Sequence, residues 1–244
     1  MERAKWLELM REKTEVLYDH FAPLYWDRYG FSMSETHARY ILKFLGQLPA
    51  RSRLLSAGCG AGKYDGLLIE AGHTVLGIDL SEGMLRRARE RYPGIRYEKK
   101  SLQEMDYQGE FDGVICVDAL EHVFPEDWPV IMRGFREALK PGGVLYFTLD
   151  VSATDDLEEA YEKGRSQGLP VVFGELAADV DEAYEIVMAM ENMDIPGELA
   201  DKAVYHYYPS VDQVHQWLDQ EKFSIEAEEM GIKWYRHFLV RKMA

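Results

Sequence analysis

The chain has 244 residues, of which 43 are acidic and 28 basic, and its net charge at pH 7 is −15. This length suffices for one domain with a full hydrophobic core, and an acidic chain without a basic face is unsuited to binding nucleic acid. The chain has only two cysteines, and it has neither an apolar N-terminal stretch nor a run of 18 apolar residues. We therefore expect a soluble, cytoplasmic protein that does not associate with membranes.

The N-terminal segment is predicted to be helical. Apolar residues recur at helical spacing from Glu2 to Leu17 and again from Glu35 to Leu48. We therefore expect residues 1–48 to form a group of helices that precedes the central part of the chain.

The segment Leu54 to Lys63, with the sequence LLSAGCGAGK, predicts a strand and a glycine-rich loop, and a helix is predicted from Asp65 to Ala71. Glycine permits a sharp turn and a close approach of ligand to backbone, and a helix that starts there directs free N–H groups at the ligand. A second strand, His73 to Asp79, ends in an acid, and Ser81 is placed to cap the next helix. An acid about 20 residues beyond such a loop can accept hydrogen bonds from ribose hydroxyls, so the sequence predicts a nucleoside site.

Short apolar runs bounded by turn residues predict three further strands, at Ile95 to Tyr97, Gly113 to Val117 and Val144 to Leu149. A helix is predicted from Trp128 to Leu139, and Pro141-Gly142-Gly143 is expected to turn the chain into the strand that follows it. Strands that alternate with helices indicate an α/β fold with a parallel, doubly wound sheet. We assign residues 49–150 to this core.

The last part of the chain differs in pattern. Phe223 to Glu229 and Lys233 to Arg241 have no helix between them, which predicts an antiparallel pair of strands. Together with a preceding helix, these strands define a C-terminal part of residues 209–244 that completes the sheet.

Residues 151–208 are predicted to form a helical insertion over the substrate side, because they follow the fifth strand. Helices are expected from Asp155 to Lys163 and from Glu175 to Met193. Between residues 152 and 201 the chain has 14 acids and two bases. Three methionines of the second helix are candidates either for an adaptable apolar pocket or for core packing: Met188, Met190 and Met193.

Two later segments carry a family resemblance. They are residues 111–123, FDGVICVDALEHV, and residues 139–147, LKPGGVLYF. With the glycine loop and Asp79 they resemble the class I S-adenosylmethionine-dependent methyltransferases, in particular those that act on small molecules. The resemblance covers about residues 54–148, and it extends more loosely to residues 18–25 and 207–210. It implies a Rossmann-like, doubly wound, seven-stranded sheet, mostly parallel with an antiparallel C-terminal hairpin, and a helical cap insertion.

The resemblance also implies the cofactor, S-adenosylmethionine, and the residues around it. The backbone of the loop would hold its methionine part, Asp79 its ribose, and Leu80 with Met84 its adenine, while N-terminal tyrosines would cover it. The chain departs from the family at Ser56, where an acid is usual, and at Ser101, where Asp or Asn is usual. The candidate cofactor-binding residues are Tyr18, Tyr25, Ser56, Gly58, Gly60, Gly62, Asp79, Leu80, Met84, Ser101, Leu102 and Val117.

Three histidines are candidates for a general base. His122 follows the fourth strand, His206 lies in an aromatic run, and His20 lies beside the N-terminal tyrosines, although each suits a structural role as well. Asp118 is a candidate to bind a cationic amine, which the acidic insertion would then attract. No cysteine and histidine spacing for zinc and no carboxylate cluster for magnesium is apparent, so we expect no metal.

These observations favour a metal-independent methyltransferase that transfers a methyl group to an oxygen or nitrogen of a small molecule. An alternative, motivated by Ser56 and Ser101, is a protein that binds the cofactor or acts as a scaffold without turnover. A nicotinamide-dependent oxidoreductase is a weaker alternative, because the glycine pattern and the later motifs match methyltransferases better. The expected partner is the small-molecule acceptor, and the expected state is a monomer or homodimer.

Overall fold

The computed structural model of the chain describes residues 1–30, 33–177, 205–231 and 235–243. The strands in these ranges are β1 (Arg53–Ala57), β2 (Thr74–Asp79), β3 (Arg96–Lys99), β4 (Phe111–Cys116), β5 (Leu139–Asp150), β6 (Glu175–Ala177), β7 (Tyr205–Tyr207), β8 (Phe223–Met230) and β9 (Tyr235–Lys242). The helices are α1 (Arg3–Phe21), α2 (Tyr25–Tyr29), α3 (Glu35–Gly46), α4 (Asp65–Glu70), α5 (Glu82–Arg91), α6 (Trp128–Ala138), α7 (Thr154–Ser166) and α8 (Val211–Gln220).

Seven strands form one sheet in the order β3-β2-β1-β4-β5-β9-β8. The first five of these strands pair in parallel, whereas β9 pairs antiparallel with both β5 and β8. This confirms the predicted doubly wound sheet with its antiparallel C-terminal hairpin. The direction of winding reverses between β1 and β4, and ligands of such sheets bind beyond the carboxyl ends of the strands at that point.

Helices cover both faces of the sheet, which explains the nearly continuous apolar runs of the central strands. Leu55 and Val114 belong to the core cluster on one face, whereas Leu54 and Ile115 belong to the cluster on the other. Adjacent residues of one strand are therefore all buried, and the sheet holds the loops at its carboxyl edge in fixed positions.

The start of β5 differs from the prediction. Leu139 already pairs with Phe111, whereas the next pair in register is Gly113 with Val144. The Pro141-Gly142-Gly143 segment is therefore an irregularity within β5, and Gly142 has the positive φ of 75° that such a segment needs. The prediction of a turn before the strand was wrong because the chain pairs on both sides of this bulge.

The predicted helix from Glu175 to Met193 is wrong at its first residues. Glu175–Ala177 forms β6, which pairs antiparallel with β7 in a separate two-stranded sheet. The rest of that predicted helix, with its three methionines, lies outside the described residues. No helix in the described ranges has the length and apolar character needed to cross a membrane.

Candidate active site

A cavity of about 380 Å³ lies at the carboxyl ends of β1, β2 and β4, and α1 covers it. Its size is within the range of small-molecule sites. Most of the predicted site residues line it: Tyr18, Tyr25, Ser56, Gly58, Gly60, Asp79, Leu80, Met84, Ser101, Leu102, Val117, His122 and His206. Gly62 and His20 are not among the lining residues. His20 is exposed, and its Nδ1 lies 2.9 Å from the carbonyl oxygen of Val16.

The glycine loop follows β1 and forms one wall of the cavity. Gly58 and Gly60 have φ values of 64° and 52°, a region that side chains rarely adopt. A Cβ on Gly58 would lie 2.6 Å from the Cβ of Ala119, and one on Gly60 would lie 3.3 Å from the Cε of Met84. The loop therefore needs glycine for its conformation and for the space beside it.

Asp79, the last residue of β2, holds this loop in place. Its Oδ2 accepts a hydrogen bond of 2.7 Å from the Gly60 N–H, and its Oδ1 accepts one of 2.9 Å from the Ser81 N–H. Burial raises the pKa of Asp79, although the two N–H bonds oppose this effect. The carboxylate thus orders the glycine loop while it also lines the cavity.

Asp65, in the first turn of α4, lies beneath the same loop and is fully buried. Its Oδ2 accepts a hydrogen bond of 2.9 Å from the Tyr97 hydroxyl. Burial raises the pKa of Asp65 to about 6, while the hydroxyls of Ser56 and Tyr97 oppose the shift. Sequence reasoning missed this acid, although its position directly after the glycine loop was a usable signal.

Ser101, one of the candidate cofactor-binding residues, has a hydrogen-bond partner within the chain. Its Oγ donates a hydrogen bond of 2.6 Å to Glu104, in a capping box that starts the short 3-10 turn Leu102–Glu104. The serine therefore has a structural partner of its own while it lines the cavity.

Asp19 attaches the end of α1 to the start of α5. Its Oδ1 accepts hydrogen bonds of 2.6 Å from the Ser81 hydroxyl and 2.8 Å from the Gly83 N–H, at the start of α5. An acid at a helix N-terminus is favoured by the free N–H groups there. This contact fixes the end of α1 and places the neighbouring Tyr18 over the cavity.

His122 lies in a short 3-10 turn after β4, and both of its ring nitrogens are engaged. Nδ1 is 3.1 Å from the carbonyl oxygen of Tyr205 and must carry the hydrogen, so Nε2 accepts the Tyr18 hydroxyl at 2.6 Å. Burial lowers the pKa of His122 to about 4. The imidazole is therefore neutral at physiological pH, and its free lone pair already has a donor.

His206, on β7, packs against His122 with 4.8 Å between the ring centroids. Its Nδ1 lies 3.0 Å from the hydroxyl oxygen of Tyr208. Burial, with His122 nearby, lowers the pKa of His206 well below its usual value. Two of the three predicted histidines thus meet at one end of the cavity.

Asp118 has partners that sequence reasoning did not foresee. Its Oδ1 lies 3.0 Å from His37 Nε2, its Oδ2 accepts a hydrogen bond of 2.9 Å from the Tyr64 hydroxyl, and Lys63 Nζ is 3.8 Å away. Burial alone would raise the pKa of Asp118, but the contacts with His37, Lys63 and Tyr64 hold it below its usual value. No motif signalled His37 or Tyr64, because α3 and the glycine loop bring them to β4 only through the tertiary fold.

Glu121 lies beside His122 and lines the same end of the cavity. It is 7% exposed, and its Oε2 has no hydrogen-bond partner among the described residues. Burial raises the pKa of Glu121 well above its usual value, with Asp150 and Asp118 adding to the shift. Asp150, at the end of β5, is also affected, since burial raises its pKa to about 7.

Comparisons with known proteins agree with this geometry. Residues 54–143 match the family model of a "Methyltransferase domain". The ubiquinone biosynthesis O-methyltransferase of Bordetella avium is 34% identical over 115 residues, which are 45% of this chain and 46% of that protein. The chain therefore spans a little under half the length of this relative.

Solved structures resemble nearly the whole chain. The 1,6-didemethyltoxoflavin-N1-methyltransferase of Burkholderia thailandensis, solved with 1,6-didemethyltoxoflavin and S-adenosylhomocysteine, superposes with a TM-score of 0.66 at 15% identity, covering 100% of this chain and 92% of that one. An S-adenosylmethionine-dependent methyltransferase of Clostridium acetobutylicum also gives 0.66, at 14% identity over 93% of this chain and 100% of that chain. At such identities the likeness concerns the fold.

Proposed function

Since the chain carries a class I S-adenosylmethionine-dependent methyltransferase domain, we propose that it transfers the methyl group of this cofactor to an oxygen or nitrogen atom of a small-molecule acceptor. The observation that carries the proposal is that one continuous cavity is lined both by the glycine loop and by the polar side chains of Glu121, His122 and His206. One end suits a nucleoside cofactor, and the other has room for an acceptor and groups that can bind its polar atoms.

The residues present fit the cofactor. Gly58 and Gly60 have no side chain, so they leave space at the cavity wall that a Cβ would narrow. Asp79, to which the family resemblance assigns the ribose, lines the same cavity. Leu80 and Met84 supply an apolar wall for the adenine. When bound, the cofactor supplies a methyl group that its sulfonium already activates.

The work left to the protein is to align the acceptor, exclude water and accept a proton where the acceptor must lose one. Tyr18 and Tyr25, placed by α1 and α2, cover the cavity and exclude water. The groups that line the acceptor end and could take a proton are His122, His206 and Glu121.

The acceptor atom is a proposal of its own. Similarity to ubiquinone biosynthesis O-methyltransferases supports an oxygen acceptor, whereas likeness in fold to an N1-methyltransferase supports nitrogen. A protein that binds the cofactor without turnover is the competing hypothesis. The replacement of the usual acid by Ser56 motivates it, and a direct assay separates the two.

The test begins with calorimetric titration of S-adenosylmethionine and S-adenosylhomocysteine, with NAD as the control. We expect saturable micromolar binding of the first two and none of NAD. Labelled methyl transfer to a panel of amines, phenols and carboxylates then tests turnover, and transfer should disappear in Asp79→Ala and Gly60→Arg. Binding without transfer to any acceptor would favour the non-catalytic hypothesis, and no binding at all would refute the proposal.

The predicted monomeric or homodimeric state and the cytoplasmic location stay predictions. Light scattering on the purified protein at several concentrations would give the oligomeric state. A mass above that of two chains would contradict this expectation.

A further inference from the structure

We propose that the acceptor is an organic amine, bound as its ammonium ion by Glu121 and the tyrosine rings that line the same cavity, with Asp150 adding negative charge from outside the lining residues. The inference rests on the proposed function, since it names the acceptor class of that site. The amine-binding role was predicted for Asp118, and we assign it instead to Glu121, whose Oε2 has no hydrogen-bond partner among the described residues.

The buried acids differ in how their charge is matched within the chain. Asp118 is matched by His37, Lys63 and Tyr64, but no Lys or Arg in the described ranges forms an ion pair with Glu121 or Asp150. Burying a carboxylate is costly unless an opposite charge and hydrogen bonds compensate for it. A cationic ligand in the cavity would supply both, and a neutral alcohol would supply only a hydrogen bond.

The hydrogen bonding of Glu121 itself is incomplete among the described residues. Its side chain is more than nine-tenths buried and belongs to the cavity wall, yet its Oε2 has no partner among the described residues. Its Oε1 lies 3.9 Å from His122 Nε2, which is beyond hydrogen-bond distance. Buried polar atoms without a partner are rare, and at a cavity wall a bound ligand or ion is one explanation that would complete the bonding.

Aromatic rings line the same cavity as Glu121. Tyr18, Tyr25 and Tyr235 line the cavity with Glu121, and Tyr235 is the partner of Asp150 in the register of β5 with β9. The electron-rich faces of aromatic rings attract cations within about 6 Å, and acidic groups among such rings form the typical site for an ammonium ion. A carboxylate acceptor would be repelled by the acid, and a phenol would gain a hydrogen bond and ring contacts but no charge pairing.

The same carboxylate can prepare the nitrogen for reaction. An N–H bond of the ammonium breaks, an O–H bond forms on Glu121, and the electron pair stays on nitrogen as the nucleophile. His122 is less suited to this step, because its Nε2 accepts the Tyr18 hydroxyl. Burial also lowers the pKa of His122 to about 4, which makes the imidazole a weak base.

The experiment measures binding to the protein saturated with S-adenosylhomocysteine, whose sulfur is uncharged. The probes are pairs of equal shape: 2-phenylethylamine with 2-phenylethanol, cyclohexylamine with cyclohexanol, and butylamine with butanol, titrated at pH 7. In at least one pair we expect the ammonium ion to bind at least tenfold more tightly than the alcohol. Glu121→Gln should reduce this preference to about twofold or less.

Two further variants keep the test specific. Glu158→Gln removes the same charge from an exposed position of α7 and should leave the preference unchanged. Asp150→Asn should reduce it partly. Because Glu121→Gln removes an uncompensated buried acid, the variant should also melt at a temperature equal to or higher than that of the unaltered chain, which separates lost recognition from lost folding.

Three results would overturn the inference: no pair with an ammonium preference, a preference that survives Glu121→Gln, or an equal loss in Glu158→Gln. Glu121→Gln could instead weaken the binding of S-adenosylmethionine while the binding of S-adenosylhomocysteine and of the amines stays unchanged. The acid would then bind the sulfonium of the cofactor itself, and the inference would be wrong. Failure of the proposed function is distinguishable, since S-adenosylhomocysteine would then fail to bind in the first titration. Methyl transfer to phenols, without any preference for amines, would leave the proposed function intact and remove only this inference.

Discussion

Replacing Asp19 by alanine should loosen the attachment of α1 to the start of α5. The substitution removes the acceptor for the Ser81 hydroxyl at 2.6 Å and for the Gly83 N–H at 2.8 Å, which lies at the start of α5. Hydrogen bonds to an ionised group contribute about 1.5 kcal/mol or more each, and partial exposure of Asp19 reduces this figure. We therefore expect the free energy of unfolding to fall by about 2 kcal/mol.

For a chain of this size that loss corresponds to a fall in the melting temperature of about 4–8 °C, which scanning calorimetry resolves. Because α1 covers the cavity, S-adenosylhomocysteine should also bind roughly tenfold more weakly by isothermal titration. Asp19→Asn keeps an oxygen acceptor and should lose less than half as much. Glu12→Ala, at an exposed position on the same helix, is the control. A change in melting temperature below about 1 °C in Asp19→Ala would refute the idea that this contact holds α1.

Other substitutions test other parts of the site. Gly58→Ala should abolish binding of S-adenosylhomocysteine in calorimetry, because the new Cβ would lie 2.6 Å from the Cβ of Ala119. The control is Gly109→Ala, since Gly109 has a similar φ of 60° but open space around it. This variant should only lower the melting temperature. Asp65→Asn should gain stability relative to the unaltered chain as pH rises, because the folded-state pKa of Asp65, about 6, exceeds its unfolded value. The acid stabilises the fold fully below about pH 4 and loses this contribution as pH rises through 6, a difference of about 3 kcal/mol in the free energy of unfolding measured in urea. Tyr64→Phe removes a hydrogen-bond donor that keeps the pKa of Asp118 low. The free energy of unfolding should therefore fall by about 1–2 kcal/mol at pH 7 and by less as pH falls toward 3. An equal loss at both pH values would contradict this account.

The sequence was sufficient to predict the sheet and to pick out residues that line the cavity around the glycine loop, because both depend on local patterns. Strand periodicity, the glycine loop and Asp79 lie within one continuous stretch, and each has a short-range signal. The other end of the cavity, where we propose that the acceptor binds, depends on residues that are distant in sequence. His37 reaches Asp118 from α3, and Tyr205 reaches His122 from β7, so their contacts exist only once the sheet has formed.

The predicted functions of individual side chains had the same limit. A sequence shows that His122 follows β4, but it does not show that Tyr18 occupies its Nε2, and this contact weakens the case for the imidazole as a base. Equally, Glu121 belongs to a recognisable motif, yet only its burial and its unpartnered Oε2 distinguish it from its neighbours. Chemical availability is a property of the packed structure, and residue type alone does not determine it.

The serine at position 56 illustrates how the packed structure changes the meaning of a departure from a family pattern. Ser56 lacks a charge, but Asp65 lies fully buried beneath the same loop, where the hydroxyls of Ser56 and Tyr97 counteract the effect of burial on its pKa. A buried acid on the following helix can supply negative potential to the loop from a different side. Loss of the acid at position 56 is therefore weak support for a site without function. If Asp65 has taken over this role, Asp65→Asn will weaken the binding of S-adenosylmethionine and also change the pH dependence of folding. Ser56→Asp would place two acids side by side, so it will destabilise the fold.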